Sequence, residues 1–429
     1  VSERRRVAAA EVGDLVRALR PSKELREDIR STVADIVDMV RDGGDEAVRR
    51  LTMRLDGVDV ERVRVAPSRL RQALDDLDPE VRAALELLAE NLRTVAADKM
   101  PRPTRVTLRH GQVVSTRQVP VRRVGVYVPG GLAAYPSSAV MAIVPAQVAG
   151  VPEIAACSPP GPSGLPHSGA LAVCALLGVE EVYAVGGAQA VAALALGTAS
   201  IPAVDMVVGP GNAYVEEAKR RLFGEVGIES LAGPTELVVV ADASAPPEAA
   251  ALDLLAQVEH GPGSQSVLVS ADPDVLTAIE PFLPAEGGVV VVEADTLDTA
   301  LRFVNAYGPE HLQLMVADPE AALRDIHHSG AIFLGPFSGT AYGDYIAGSN
   351  HILPTGGHSR FSSGLSPAAF LRTQEVVELS EASAASLAAP LAALARAEGF
   401  VDHARSGEIR AAAAAEPARA DAAPVVPSD

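Results

Sequence analysis

From Val124 onward the chain falls into an alternation that few folds accept. Val/Ile-rich runs of strand length recur at Val124–Val128, Ile154–Cys157, Val182–Val185, Met206–Val208, Glu236–Ala241, Ser266–Ser270, Val289–Glu293, Leu312–Val316 and Ala331–Leu334. Ala-rich runs of helical length lie between them, over 137–149, 168–178, 188–196, 212–224, 246–260, 296–307 and 318–328. Strands that alternate with helices of this length pair in parallel, and helices cover both faces of the resulting sheet. About nine such strands are many for one open sheet, so two α/β units are expected. The core must be built from Ala, Val and Leu, because aromatics make up only 3% of the chain and Trp is absent. Such a core suits buried parallel strands.

The flanks follow a helical period. Residues 22–100 read as helix, with Ser22 as a cap and Leu25, Ile29, Val33, Ile36, Val37 and Val40 spaced at threes and fours. Gly43-Gly44 is expected to stop that helix. Asp78-Pro79-Glu80 opens another, as a cap, a first-turn Pro and a first-turn acid. A basic, Pro-containing, strand-like stretch runs from Lys99 to Arg123. After about Pro367 the pattern is helical again to about Arg410, and the Ala/Pro-rich tail beyond it is expected to be disordered.

Charge and cysteine content exclude several functions. With 36 Lys+Arg against 55 Asp+Glu, the formal charge is -19. Binding phosphate backbones or an anionic membrane surface needs the opposite balance, so neither nucleic acid nor membrane is an expected partner. No apolar run reaches the ~18 residues of a transmembrane helix. The arginines near the start lack an apolar segment after them, so a cytoplasmic protein is expected. The two cysteines, Cys157 and Cys174, form no C-x-x-C pair and fall in apolar runs, which reads as core rather than as disulfide, metal site or nucleophile.

Three glycine turns follow strands. One is Val124-Gly-Val-Tyr-Val-Pro-Gly-Gly131, another Val185-Gly-Gly-Ala-Gln-Ala190, and the third Gly209-Pro210-Gly211-Asn212 at the head of a helix. The third approaches the dinucleotide fingerprint G-x-G-x-x-G but has Tyr214 where the last glycine belongs. It reads either as an anion site at a helix amino terminus or as a tight turn without a ligand. The histidines are more informative. Gln257 and His260 are three residues apart at a helix end, so they share a face. They form either half a metal site or a polar last turn favoured by the helix dipole. Glu310-His311 places a carboxylate and an imidazole on one tight loop, a pair suited to proton transfer or simply a solvated turn. Asp344 and His351 share a Gly/Ser loop, and Asp344 fits zinc logic; Glu398 and His403 add an acid and an imidazole near the end of the chain. His110, His167, His327 and His328 lack such company and are expected at the surface.

Taken together, the stretches VGVYVPGG, VGGAQAVAALALGT, VVGPGNAYVEEAKR, LAGPTELVVVAD, LLAQVEHGPGSQ, NAYGPEHLQL, GDYIAGSNHILPT, RFSSGLS and AEGFVDHA resemble histidinol dehydrogenase, in family order over roughly residues 25–405. The resemblance implies oxidation of L-histidinol to L-histidine through L-histidinal, with two NAD reduced and one zinc per site. It implies Gln257, His260, Asp344 and His403 as zinc ligands, His311 as general base and Glu310 as the group that activates water. It implies Thr235, His351 and Glu398 as further substrate contacts, beside Gln257, His260, His311, Asp344 and His403, and Tyr127, Gln189 and Asn212 as NAD contacts. It also implies a homodimer in which Glu398 and His403 serve the neighbouring site. The expected organisation is then a helical extension (1–24), an α/β unit with most zinc and catalytic residues (25–123 with 237–366), an α/β unit with the NAD contacts (124–236), a small helical unit (367–410) and a tail (411–429). Two positions depart from the family pattern: Gly339-Thr340 stands where Pro-Glu is usual, and His358 where a small polar residue is usual. A zinc-dependent hydrolase on a related scaffold is the alternative, motivated by the His/Asp cluster and the incomplete fingerprint.

Overall fold

The computed structural model describes residues 4–20, 27–130, 135–261, 263–284 and 288–415. The expected cap at Ser22 and the tail from residue 416 lie outside them. The strands are β1 (Arg4–Val7), β2 (Arg105–Thr107), β3 (Val113–Pro120), β4 (Arg123–Tyr127), β5 (Glu153–Ser158), β6 (Glu181–Ala184) and β7 (Met206–Val208). They continue with β8 (Gly227–Ile228), β9 (Glu236–Ala241), β10 (Gln265–Ser270), β11 (Val289–Ala294), β12 (His311–Met315), β13 (Ala331–Leu334) and β14 (Leu371–Glu378). All nine expected strands are present: Met206–Val208, Glu236–Ala241 and Ala331–Leu334 keep their expected bounds, and the other six differ by one residue at one or both ends.

Two all-parallel sheets form, as the alternation requires. One has the order β6-β5-β4-β7-β8, the other β1-β11-β10-β9-β12-β13. Each starts at its centre, runs outward through three strands, then returns to the centre and continues on the other side. The order is the same in both, with β1 added at one edge of the second. Ligands of open α/β sheets bind where the direction reverses. Those points are β4/β7 in one sheet and β9/β12 in the other.

Helix Glu27–Asp56 packs on helices Gly187–Leu196 and Ala213–Leu222 of the five-stranded sheet. Its buried stripe of Val33, Ile36, Val37, Val40, Val48 and Leu51 joins their core. The expected stop at Gly43-Gly44 is a kink instead. Gly44 adopts φ 51°, ψ -134°, a conformation closed to other residues, and the helix resumes because Val48 and Leu51 continue the stripe. Both flanking segments read as helical also hold a strand. β1 lies parallel to β11, and β14 pairs antiparallel with β3. Local periodicity does not announce such pairing; Arg117 and Gln374, hydrogen-bonded across β3 and β14, are 257 positions apart.

The chain divides into two compact units. The first holds Val1–Met100 and Val121–Phe370, with both parallel sheets; the second holds Pro101–Pro120 and the chain from Leu371. Within the second unit, the antiparallel sheet β14-β3-β2 accompanies helices Glu381–Ala397 and Val401–Ala415, which pack through Ala392, Ala395 and Ala404. Among the described residues no helix is long and apolar enough to cross a membrane.

The Gly44 kink carries a stability prediction. Gly44→Ala meets no neighbour within 4 Å, so its cost is backbone strain alone. It should destabilise the protein by about 1–3 kcal/mol. The urea midpoint should fall with an unchanged slope.

Candidate active site

The amino-terminal edge of the six-stranded sheet gathers most of the singled-out residues. Helix Leu297–Tyr307 ends at Gly308, whose left-handed conformation (φ 58°) turns the chain sharply toward Glu310. His311 opens β12 and lies in register with Leu237 of β9. That pairing sets Thr235-Glu236 beside Glu310-His311. Glu310 Oε2 accepts the Glu236 N–H at 3.0 Å and the Thr235 hydroxyl; Thr235 Oγ1 in turn accepts from Gln257 Nε2. Gln257, Glu310 and His311 are buried. Amide, hydroxyl and carboxylate thus form one relay, which leaves the amide oxygen of Gln257 for another partner.

His311 lies between two acids. Its Nδ1 is 3.5 Å from Glu310 Oε2 and its Nε2 3.3 Å from Asp344 Oδ1. Neither nitrogen meets hydrogen-bond geometry, so the attraction is chiefly that of charge. Burial pushes the imidazolium toward losing its proton, but Glu310 and Asp344 together outweigh this and push its pKa up to about 10. Burial opposes ionisation of Asp344 as well, yet His311 holds that carboxyl below its ordinary value.

His351 is fixed from both sides. Its Nδ1 lies 2.9 Å from the Asp344 carbonyl, which can only accept, so Nδ1 carries the proton. Nε2 then accepts the Ser138 hydroxyl at 2.9 Å. Burial pushes the ring toward its neutral form. A ligand contact by His351 must displace one of these partners. Ser138 escaped the sequence reading; a serine pair just after Pro136 at a helix start was the only signal.

His260 follows helix Pro247–Val258, exposed, one turn beyond Gln257. Among the described residues, no three His, Cys, Asp or Glu side chains are grouped to hold a metal ion. His260 and Asp344 are two donors of that kind, and the Gln257 amide oxygen is a third of a different kind. Glu398 and His403 belong to the second unit, where both are exposed: Glu398 caps helix Glu381–Ala397, and the His403 ring lies 5.3 Å from Phe400. Thr340 is buried at the start of a short helix. His358 lies with Nδ1 3.3 Å from the Leu231 carbonyl.

A cleft of about 1090 Å³ opens at the carboxyl ends of the five-stranded sheet, and Tyr127, Gln189 and Asn212 all line it. The Tyr127 hydroxyl accepts the Gly187 N–H at 3.2 Å. Gln189 Nε2 donates to Asp56 Oδ2 at 3.3 Å, and its Oε1 is buried without a partner among the described residues. Asn212 caps helix Ala213–Leu222 by accepting from the N–H groups of Tyr214 and Val215. Asp56, Arg69, Gln72, Asp76 and His167 also line the cleft and were not singled out, since nothing local in the sequence links them to it. Both cysteines are buried and free. Burial pushes the Cys174 thiol up to about 12, and Cys157 upward too, so neither is a ready nucleophile.

The cleft on one parallel sheet and the acid–imidazole–acid cluster on the other are the two candidate sites of this α/β protein. A family model for histidinol dehydrogenase matches residues 19–411. The histidinol dehydrogenase of Thermobifida fusca is 46% identical over 410 residues, covering 90% of this chain and 93% of its own. That of Parasynechococcus marenigrum is 42% identical, covering 94% and 95%. The crystal structure of the enzyme from Elizabethkingia anophelis superposes with a TM-score of 0.89 at 29% identity, covering 95% and 97%. The chain belongs to the histidinol dehydrogenase family of oxidoreductases.

The His311 pair interactions set a pH dependence for the metal-free protein. Folding raises the proton affinity of His311, so its stabilising contribution is complete below the ordinary value of 6.5 and is lost as pH rises through about 10. Thermal melts of chelated protein across that window should show the loss. His311→Gln should flatten the dependence, and an equally steep profile in that variant would reject the assignment.

Proposed function

We propose that this chain oxidises L-histidinol to L-histidine in two NAD-dependent steps, the last of histidine biosynthesis, with L-histidinal held between them. The observation that carries this reading is the continuous array Gln257–Thr235–Glu310–His311–Asp344, with Gln257, Glu310 and His311 buried, in a chain of this family. Tyr127, Gln189 and Asn212 would hold NAD, which supplies the hydride acceptor for both oxidations. The cleft they line is large enough for a dinucleotide, and the unpartnered Gln189 Oε1 offers an acceptor there.

Gln257, His260, Asp344 and His403 would hold zinc. Two imidazoles, a carboxylate and an amide oxygen are a donor set that zinc accepts. When bound, the ion supplies an anchor for the neutral imidazole and amine nitrogens of the substrate. His311 takes the alcohol proton, for which it must be neutral; the pull of Asp344 on its proton weakens once that carboxylate is engaged by a cation. Glu310 then accepts a proton from the water that attacks the aldehyde. Its Oε2 is held by Thr235 and the Glu236 amide, which leaves Oε1 for that water. Water serves as nucleophile because both thiols lie in the core.

The same reading includes a homodimer in which Glu398 and His403 complete the neighbouring site. The second unit leaves Leu394, Phe400, Val401 and Ile409 each more than half exposed, an apolar surface of the kind an interface covers.

Purified protein should yield two NADH per histidinol. Glu310→Gln should reduce the aldehyde step by about 100-fold or more while sparing alcohol oxidation, so that aldehyde accumulates. Equal loss in both steps would reject the role given to Glu310. Mixing His260→Ala with His403→Ala protein under subunit exchange should restore activity through hybrid dimers. No recovery would overturn the shared site.

A further inference from the structure

The turn Gly209-Pro210-Gly211-Asn212 lacks the third glycine of a dinucleotide fingerprint, and another device holds it. Lys219 and Glu229 form an ion pair at 2.7 Å with each side chain only 2% exposed. Lys219 lies on helix Ala213–Leu222 and Glu229 directly follows β8. Both reach the same residue of the turn. Lys219 Nζ donates to the Gly209 carbonyl at 3.2 Å, and Glu229 Oε1 accepts the Gly209 N–H at 2.8 Å. The second carboxylate oxygen, Oε2, is buried with no partner among the described residues, so among these the Gly209 N–H and the Lys219 ammonium hold the group, both through Oε1. Gly209 itself is pressed on the end of β4: at φ 118°, a Cβ would stand 2.1 Å from the Tyr127 carbonyl oxygen.

A fully buried ion pair is poor evidence of stability, because well-packed apolar residues of similar size often do as well or better. Apolar residues could not, however, offer a donor to one polar group of Gly209 and an acceptor to the other. The two groups so held open the turn that leads into Asn212 and Tyr214, both of which line the cleft. We propose that Lys219 and Glu229 are positioning residues for the dinucleotide: they clamp the amide and carbonyl of Gly209 and thereby fix the turn that presents Asn212 and the start of its helix to the cleft. The proposal rests on the NAD reading above.

The test uses the full-length protein with Lys219→Met/Glu229→Met, which removes both charges together, and Glu229→Gln, which keeps the shape. NAD titration, steady-state kinetics and amide exchange over residues 209–215 without NAD are measured for each. In the folded double variant, the KM for NAD should rise about 10- to 100-fold, with kcat falling far less and the KM for histidinol unmoved. The Gly209 and Asn212 amides should exchange faster. Glu229→Gln should show the same split at smaller amplitude, which keeps the proposal testable if the double variant does not fold. Unchanged KM for NAD and unchanged exchange in a folded variant would overturn it. Failure of NAD to bind the wild-type protein would instead overturn the cofactor reading, and the exchange measurement would still decide whether the pair holds the turn.

Discussion

The imidazole of His311 sits between the carboxylates of Glu310 and Asp344, and side-chain exposure across the three runs from 4% to 15%. Three ionisable groups this far from water cannot persist unless each is matched, since an unpaired buried charge costs several kcal/mol. With His311 protonated the cluster still carries one negative charge in excess. It therefore favours a further cation on the Asp344 side, where the helix carrying Gln257 ends with its carbonyls and negative dipole. The Gln257–Thr235–Glu310 relay fixes one acid, and the turn at Gly308 fixes the backbone that carries it. The rest of the second sheet serves this arrangement by holding β9 and β12 side by side.

Two sheets of identical strand order are used at opposite ends. The five-stranded sheet offers its carboxyl edge, where glycine turns follow the strands and leave room for a cleft. The six-stranded sheet offers its amino edge, where Thr235 and Glu310 precede strands and Gln257 ends a helix. The segment 340–351, a short helix that bears Asp344 followed by the loop that bears His351 where a single loop was expected, ties the two sheets together. Within it, His351 bonds to Ser138, and Asn350 donates to the Met141 carbonyl at 2.7 Å, both on helix Pro136–Val148. A change in that helix is thus passed, through His351 and its contact with the Asp344 carbonyl, to the short helix that holds one of the two acids flanking His311.

Much of this was legible in the linear chain. The nine strands and the helices between them follow from hydrophobic runs whose length and spacing are local properties. Glu310-His311, Gln257/His260 and Asp344 stood out because acids, amides and imidazoles in glycine-rich turns beside apolar runs are out of place in a core. Other residues stayed silent. Asp56 and Ser138 act through Gln189 and His351, 133 and 213 positions away, and nothing beside them in sequence marks that contact. β1 and β14 lie in flanks that read as helical: β1 is only four residues long, with Val7 alone buried, and β14 is an edge strand exposed along most of its length, so neither carries a buried alternation to detect.

The sequence by itself determined the class of fold, the placing of both cysteines in apolar runs and the short list of polar residues with titratable or amide side chains in glycine-rich turns, because each rests on residue type and near-neighbour spacing. Only the tertiary structure decided which of those residues meet. The register that puts His311 beside Leu237, the kink at Gly44 and the clamp of Lys219 and Glu229 on Gly209 arise from contacts between elements far apart in the chain. Burial then turns neighbouring charges into strong mutual perturbations, as in the upward shift of His311, and burial is a property of the packed molecule rather than of any stretch of sequence.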